Sequence, residues 1–267
     1  DLHSEALKRI EDAAILRNTQ FREDAGPTAH PVKPDAYQAL DNFYPTTLDE
    51  NGAELLRMLR TLLGKERFMR GMEIYFKRHD GEAATTDDFV SAIAEGACAN
   101  GELLGFDLDQ FKLWYVQAGT PTVTVERDWD ATQGLLRLTF RQTTPPTPGQ
   151  PKKQPVVIPL LWSIVTANGD AGDEQLLVLD QEQQIIEIND LPRFEHPPVL
   201  SLFRKFSAPV HWEAGQKSEE LFILLAADND PFARWDAGQQ LWRRLLLSRA
   251  SGRCDEDLER QMLEALS

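Results

Sequence analysis

The chain is predicted to be a multidomain α+β protein: helices first, then a small β-sandwich, then helices again. Two switches of apolar period carry this reading. Spacing of 3.6 residues gives way to strict alternation after Pro121, and the helical period resumes beyond Trp212. With 267 residues and 42% hydrophobic side chains, the length allows one to three domains and a substantial core. The expected divisions are 1–119, 120–210 and 211–267.

The N-terminal helix starts from the spacing of Leu2, Ala6, Leu7 and Ile10, and a turn-rich stretch runs from Arg22 to Pro34. Thr47 and Glu50 read as a capping box ahead of a helix whose Ala53, Leu56, Leu59 and Leu63 share a side, with Gly64 as its stop. Phe68, Met72, Tyr75 and Phe76 continue in a second helix ending near Asp80-Gly81. Thr85 and Asp88 cap a third, and Phe111, Trp114 and Tyr115 mark a fourth, stopped by Gly119 and Pro121. The alternation of Val123 and Val125, then of Leu136, Leu138 and Phe140, predicts two strands. Val156–Val165 is apolar enough for a strand buried on both faces, and Leu176–Leu179, Ile185–Ile188 and Val199–Phe206 complete six or seven strands. Ser218 with Glu220, Asp230-Pro231, and the stretch Asp257–Leu266 begin or form the last helices.

Charge and cysteine content narrow the function classes. Forty-three acidic against 28 basic residues give a field that repels phosphate backbones and anionic lipid, so nucleic acid is not an expected partner. No window reaches 18 apolar residues, and direct membrane insertion is not expected. Cys98 and Cys254 form neither a disulfide framework nor a thiolate metal spacing, which suggests a reducing compartment, cytoplasm or organelle matrix. The opening residues lack a signal peptide and a methionine, so the chain reads as processed or cut from something longer.

Generic catalytic motifs are not found. The five histidines, His3, His30, His79, His196 and His211, include no pair closer than 15 residues, hence no HExxH; GxSxG and a phosphate-binding glycine loop are missing too. His30 fits a hydrogen-bonded loop histidine, Asp87 and Asp88 fit the N-terminus of a helix, and Phe111, Trp114 and Tyr115 fit a packed core face.

Longer motifs are informative. The runs Ala29-His30-Pro31-Val32-Lys33-Pro34, Asp41-Asn42-Phe43-Tyr44 and Glu50-Asn51-Gly52-Ala53-Glu54 through Leu59, then Tyr75 to Gly81, Trp114-Tyr115, Ala118 to Pro121, Phe206 to Val210 and Arg234 to Ala237 resemble, in order, the aminopeptidase N family of zinc metallopeptidases. The resemblance implies the helical lobe that ends a thermolysin-like domain, a β-sandwich, and the start of an all-helical domain. It also implies that the family's zinc ligands and its amine-binding motif belong upstream of this chain, which itself would hold no metal and no cofactor. Aligned through Asn42-Phe43-Tyr44 and Gly52-Ala53-Glu54, Asp49 stands where the family has a catalytic tyrosine, and Tyr44 matches a substrate-pocket tyrosine, here vestigial. An ionised carboxylate accepts hydrogen bonds only, so Asp49 could not donate to an oxyanion.

Three functions follow as expectations. The first is a non-catalytic structural or interaction subunit, whose protein partners cover the surface against the missing half. The second is a piece or split chain of an active zinc aminopeptidase that releases N-terminal residues from peptides. The third is a sandwich acting as an independent binding module.

Overall fold

The computed structural model describes residues 4–34, 47–189, 191, 194, 197–252 and 255–265, with the side chains of residues 47 and 48 excepted. The N-terminal helices are α1 (Glu5–Asn18), α2 (Gln20–Asp24), α3 (Gly52–Leu63), α4 (Lys65–His79), α5 (Thr86–Ala97) and α6 (Leu108–Val116). Local chemistry sets several of their ends. Ser4 accepts from the Leu7 N–H to start α1, and Gly64, at φ 77°, is the break between α3 and α4. Thr85 and Asp88 form the expected reciprocal box on α5, and Asp107 accepts from Asp109 and Gln110 at the start of α6. A π-helical turn, Thr47–Asn51, leads into α3, whose N-cap is Asn51 without a side-chain cap; the Thr47 side chain of the expected box is not among those described.

Two four-stranded sheets follow. In the first, β1 (Thr122–Asp130), β2 (Leu135–Thr143), β6 (Gln183–Ile188) and β8 (His211–Glu213) lie in the order β6-β2-β1-β8. In the second, β3 (Ile158–Thr166) pairs with β4 (Gly169–Asp170), β5 (Gln175–Leu179) and β7 (Val199–Leu202). All but two residues of β3 are buried, as its mostly apolar run requires, with Ser163 the polar residue enclosed among them. The expected strand Val199–Phe206 stops at Leu202, because Phe203, Lys205 and Phe206 take left-handed φ angles of 50° to 57° and turn the chain through Arg204–Phe206. β8 was not anticipated from the sequence; it pairs parallel to β1, Thr122 opposite His211, one residue beyond the expected sandwich boundary.

The last helices are α7 (Ser218–Ala227), α8 (Pro231–Ala250) and α9 (Glu256–Ala265). Asp230 caps α8 by accepting from the Ala233 N–H, with Pro231 in the first turn, and Glu220 reaches back to the Lys217 N–H. Three clusters hold the elements together. The largest joins Leu55, Leu59, Ile93, Phe111 and Trp114 of the helices to Leu138, Phe140, Leu160 and Phe203 of the sandwich, so lobe and sandwich share a core. A second packs Leu221, Leu241, Leu245, Leu258 and Met262 against Val165 and Val199. The third is formed by Ala13, Leu16 and Phe21 with Phe206 and Phe232. Trp114 Nε1 donates to the Val157 carbonyl at 2.7 Å, fixing α6 on the sandwich.

Helices α4 and α5 cross at two glycines. A Cβ on Gly96 would fall on the backbone of Gly71, and one on Gly71 would meet the Ile93 Cα at 2.5 Å. Backbone cannot yield as a flexible side chain can. Gly96→Ala is therefore expected to destabilise the protein by about 3 kcal/mol, the upper end for overpacking, read as a lower urea midpoint at unchanged m-value.

Candidate functional site

The site suggested by the sequence lies where the π-helical turn meets α3. Asp49 is exposed on that turn, and Tyr44 lies outside the described residues. Asp49 and Glu50 precede the helix, where its N-terminal dipole favours carboxylates. One turn further, Glu54 is buried and receives both ends of the Arg9 guanidinium, Nη1 to Oε1 at 2.6 Å and Nη2 to Oε2 at 2.5 Å. The same guanidinium donates through Nε to the Lys205 carbonyl at 2.8 Å and through Nη2 to the Phe206 carbonyl at 2.7 Å. Thus α1, α3 and the left-handed turn of the sandwich meet at one side chain. Arg17, two turns along α1, pairs with Asp236 of α8 at 2.5 Å and lies within 6 Å of the ring centres of Phe206, Trp212, Phe232 and Trp235.

Neither arginine was singled out in the sequence. The signal available was weak: Arg9 and Arg17 lie eight residues apart, on the face of α1 that also carries buried Ala13 and Leu16. Basic residues at such spacing usually mark a solvated face.

The remaining sequence candidates have structural roles. His30 donates from Nδ1 to the Pro31 carbonyl at 2.9 Å, with Nε2 3.8 Å from Glu23. Asp88 completes the α5 cap, while Asp87 receives Lys33 at 2.7 Å. Phe111, Trp114 and Tyr115 are buried. His79 lies beside Tyr75 and His211 against the edge of Phe21; His3 and His196 are outside the described residues. Among the described residues no three His, Cys, Asp or Glu side chains converge as a metal site, so the residues present do not fit a zinc centre.

A second polar junction joins α2 to the sandwich. Asp24 is buried, accepts from the Thr120 hydroxyl at 2.8 Å and from the Gln20 amide, and leaves Oδ1 without a partner. Burial pushes its carboxyl above the ordinary range, against those two hydrogen bonds, which favour the ion.

The helical lobe, the sandwich and the first helices of the last region each match a known domain model, in this order. Residues 5–114 match the Peptidase family M1 domain, residues 119–215 the domain of unknown function DUF3458 with its Ig-like fold, and residues 218–267 the ARM-repeat region DUF3458_C. The chain is similar to aminopeptidase N: it is 45% identical to aminopeptidase N of Caulobacter vibrioides over all 267 residues and 40% identical to that of Escherichia coli K12 over 249 residues. It spans 30% and 28% of the length of those two relatives. The fold is shared with Legionella pneumophila aminopeptidase A, solved in complex with aspartic acid, at a TM-score of 0.72 and 24% identity, covering 93% of this chain and 28% of that one. No described helix is long and apolar enough to cross a membrane.

Two measurements check these junctions. Arg9→Met leaves the Glu54 carboxylate buried without its counterion and is expected to cost about 3–5 kcal/mol in urea unfolding, with the Arg9→Met/Glu54→Leu double variant less affected than the sum of the single ones. For Asp24, the raised folded pKa means full stability in acid and loss as pH rises through that pKa. The stability of Asp24→Asn relative to the natural protein is therefore expected to improve as pH rises from below the ordinary carboxylate range through the raised pKa of Asp24, then level off.

Proposed function

We propose that this chain is a structural and docking part of an aminopeptidase N-type assembly in which the family's tyrosine-assisted peptide hydrolysis has been lost. The observation that carries the reading is Asp49, exposed on the turn that enters α3, in register with the tyrosine of the resemblance. A phenol donates to the oxygen that becomes negative in the tetrahedral intermediate. An ionised carboxylate repels it. The framework around the position is intact: Glu54, five residues on, is held by Arg9, so the substitution removes a donor without removing the scaffold. Tyr44 keeps the identity of a substrate-pocket residue and is read as vestigial.

Protein partners fit this role. Leu246, Leu247 and Leu263 are each about 60% exposed on α8 and α9, apolar surface that a protein partner would cover. Cys98 and Cys254, which form no disulfide framework in the sequence, support a reducing compartment, cytoplasm or organelle matrix, as the proposed location.

The competing reading is a part of a working zinc-dependent aminopeptidase, favoured by 45% identity over the whole chain to a protein of that name. Turnover of alanine p-nitroanilide by the native protein, with zinc supplied, separates the two. Little or no chelator-sensitive turnover is expected, because a carboxylate at position 49 forgoes the roughly 10²-fold or more that one oxyanion donor supplies. Chelator-sensitive turnover of the natural protein at about 1–10³ per second, the ordinary enzymatic range, would establish the competing reading.

A further inference from the structure

The arrangement that seats Glu54 on Arg9 also turns the next residues of α3 toward a cleft. This cleft, about 610 Å³, opens between the start of α1, the second half of α3, the left-handed turn and the first residues of α8. Of the cations lining it, Arg9 is paired with Glu54 and Lys205 with Glu174. Arg57, Arg60 and Lys65 line it as well, and among the described residues none of them has a carboxylate within ion-pair distance or a hydrogen-bond partner for its charged group. Arg57 is half-buried, and burial together with the neighbouring charge of Arg9 pushes its guanidinium below the ordinary arginine range. Glu5 and Asp230 also line the cleft, and Asp12 of α1, paired with Lys8, acts on Arg57 as well. Glu5 is exposed, and Asp230 is already engaged, its Oδ1 accepting from the Lys205 and Ala233 N–H groups. Among the described residues the charges of Arg57, Arg60 and Lys65 are therefore not paired within the cleft, in a chain with 15 excess negative charges.

Charge and size choose the ligand. One carboxylate satisfies one guanidinium, as Glu54 does for Arg9, whereas three cations around a common space suit an anion with nearly two charges and several acceptor oxygens. Phosphate carries about −1.5 to −2 at pH 7. The volume lies within the roughly 300–1,000 Å³ of small-molecule sites and is far larger than a bare phosphate. Beyond the cations the lining becomes apolar, with Leu161 half-buried and Pro231 exposed.

We propose that this cleft binds a phosphate monoester, the phosphate held by Arg57, Arg60 and Lys65 and the organic group lying toward Leu161 and Pro231. The Ser207 hydroxyl, which accepts from the Leu161 N–H at 3.1 Å, supplies a further O–H donor on the same wall. The site is separate from Asp49 and independent of the catalytic question.

Calorimetric titration of the protein at low ionic strength tests it, with phenyl phosphate, inorganic phosphate and benzoate as probes. Saturable one-to-one binding of phenyl phosphate is expected, tighter than either other probe, and weakened at least about tenfold by Arg57→Gln. The Arg60→Gln/Lys65→Gln variant changes only exposed side chains and is expected to fold normally while losing a similar factor; phenyl phosphate should raise the Tm of the natural protein and not of this variant. No saturable binding, or undiminished binding in the Arg60→Gln/Lys65→Gln variant, would overturn the proposal. Benzoate or inorganic phosphate binding as tightly as phenyl phosphate would also overturn it, as would a poly-glutamate peptide that binds through these residues without competition from phenyl phosphate.

Discussion

The fold depends on one guanidinium. Phe203, Lys205 and Phe206 all adopt left-handed backbone angles that cost on the order of 1–3 kcal/mol each in residues with a side chain. Such a turn persists only where its surroundings over-determine it. Arg9 does this by donating to two of its carbonyls while Glu54 neutralises the charge, and Asp230 accepts the Lys205 N–H from the other side. The turn in turn ends β7, directs buried Arg204 to Asp170 and Asp228, and brings Phe206 against Phe232. Three regions that the sequence separates are thereby locked at one point. A buried ion pair is a weak source of net stability, because desolvating both charges offsets much of their attraction. Its contribution here is geometric: no apolar pair could satisfy the two carbonyls.

What was legible in the sequence was what local chemistry decides. Gly64 ends α3 because a positive φ is needed there, and Thr85 with Asp88 starts α5 because two backbone donors need partners three residues apart. The run that became β3 could be recognised as doubly buried because apolar residues fill both faces, with Ser163 the one polar residue between Ile158 and Val165. Two of the misreadings involve distant partners. Val199–Phe206 has the composition of one strand, yet its last residues are turned by Arg9, almost two hundred positions away. β8 is three residues long, too short to display a period, and exists because β1 offers it an edge. The π-helical turn before α3 likewise has no sequence signature at this length.

The candidate site divides the same way. Asp49 could be placed by register against a resemblance, since the short spacing to Gly52-Ala53-Glu54 leaves no room for slippage. Arg9, Arg17 and Asp24 could not be found, because long-range pairing has no period. A basic side chain destined for a buried clasp looks, in sequence, like any other on a helix surface.

The two features of α3 are linked by helical spacing. Glu54 and Arg57 are three residues apart and share a face, with Arg60 continuing the row. Once Glu54 is turned inward to meet Arg9, Arg57 must lie beside that pair, half-desolvated and next to a like charge, while its natural i−3 partner is already committed. Moving α3 away would relieve Arg57 but would strip Arg9 of Glu54. The positive cleft is thus a geometric consequence of the clasp, and its unmatched charge is available to a ligand because the fold has used the nearest carboxylate for itself.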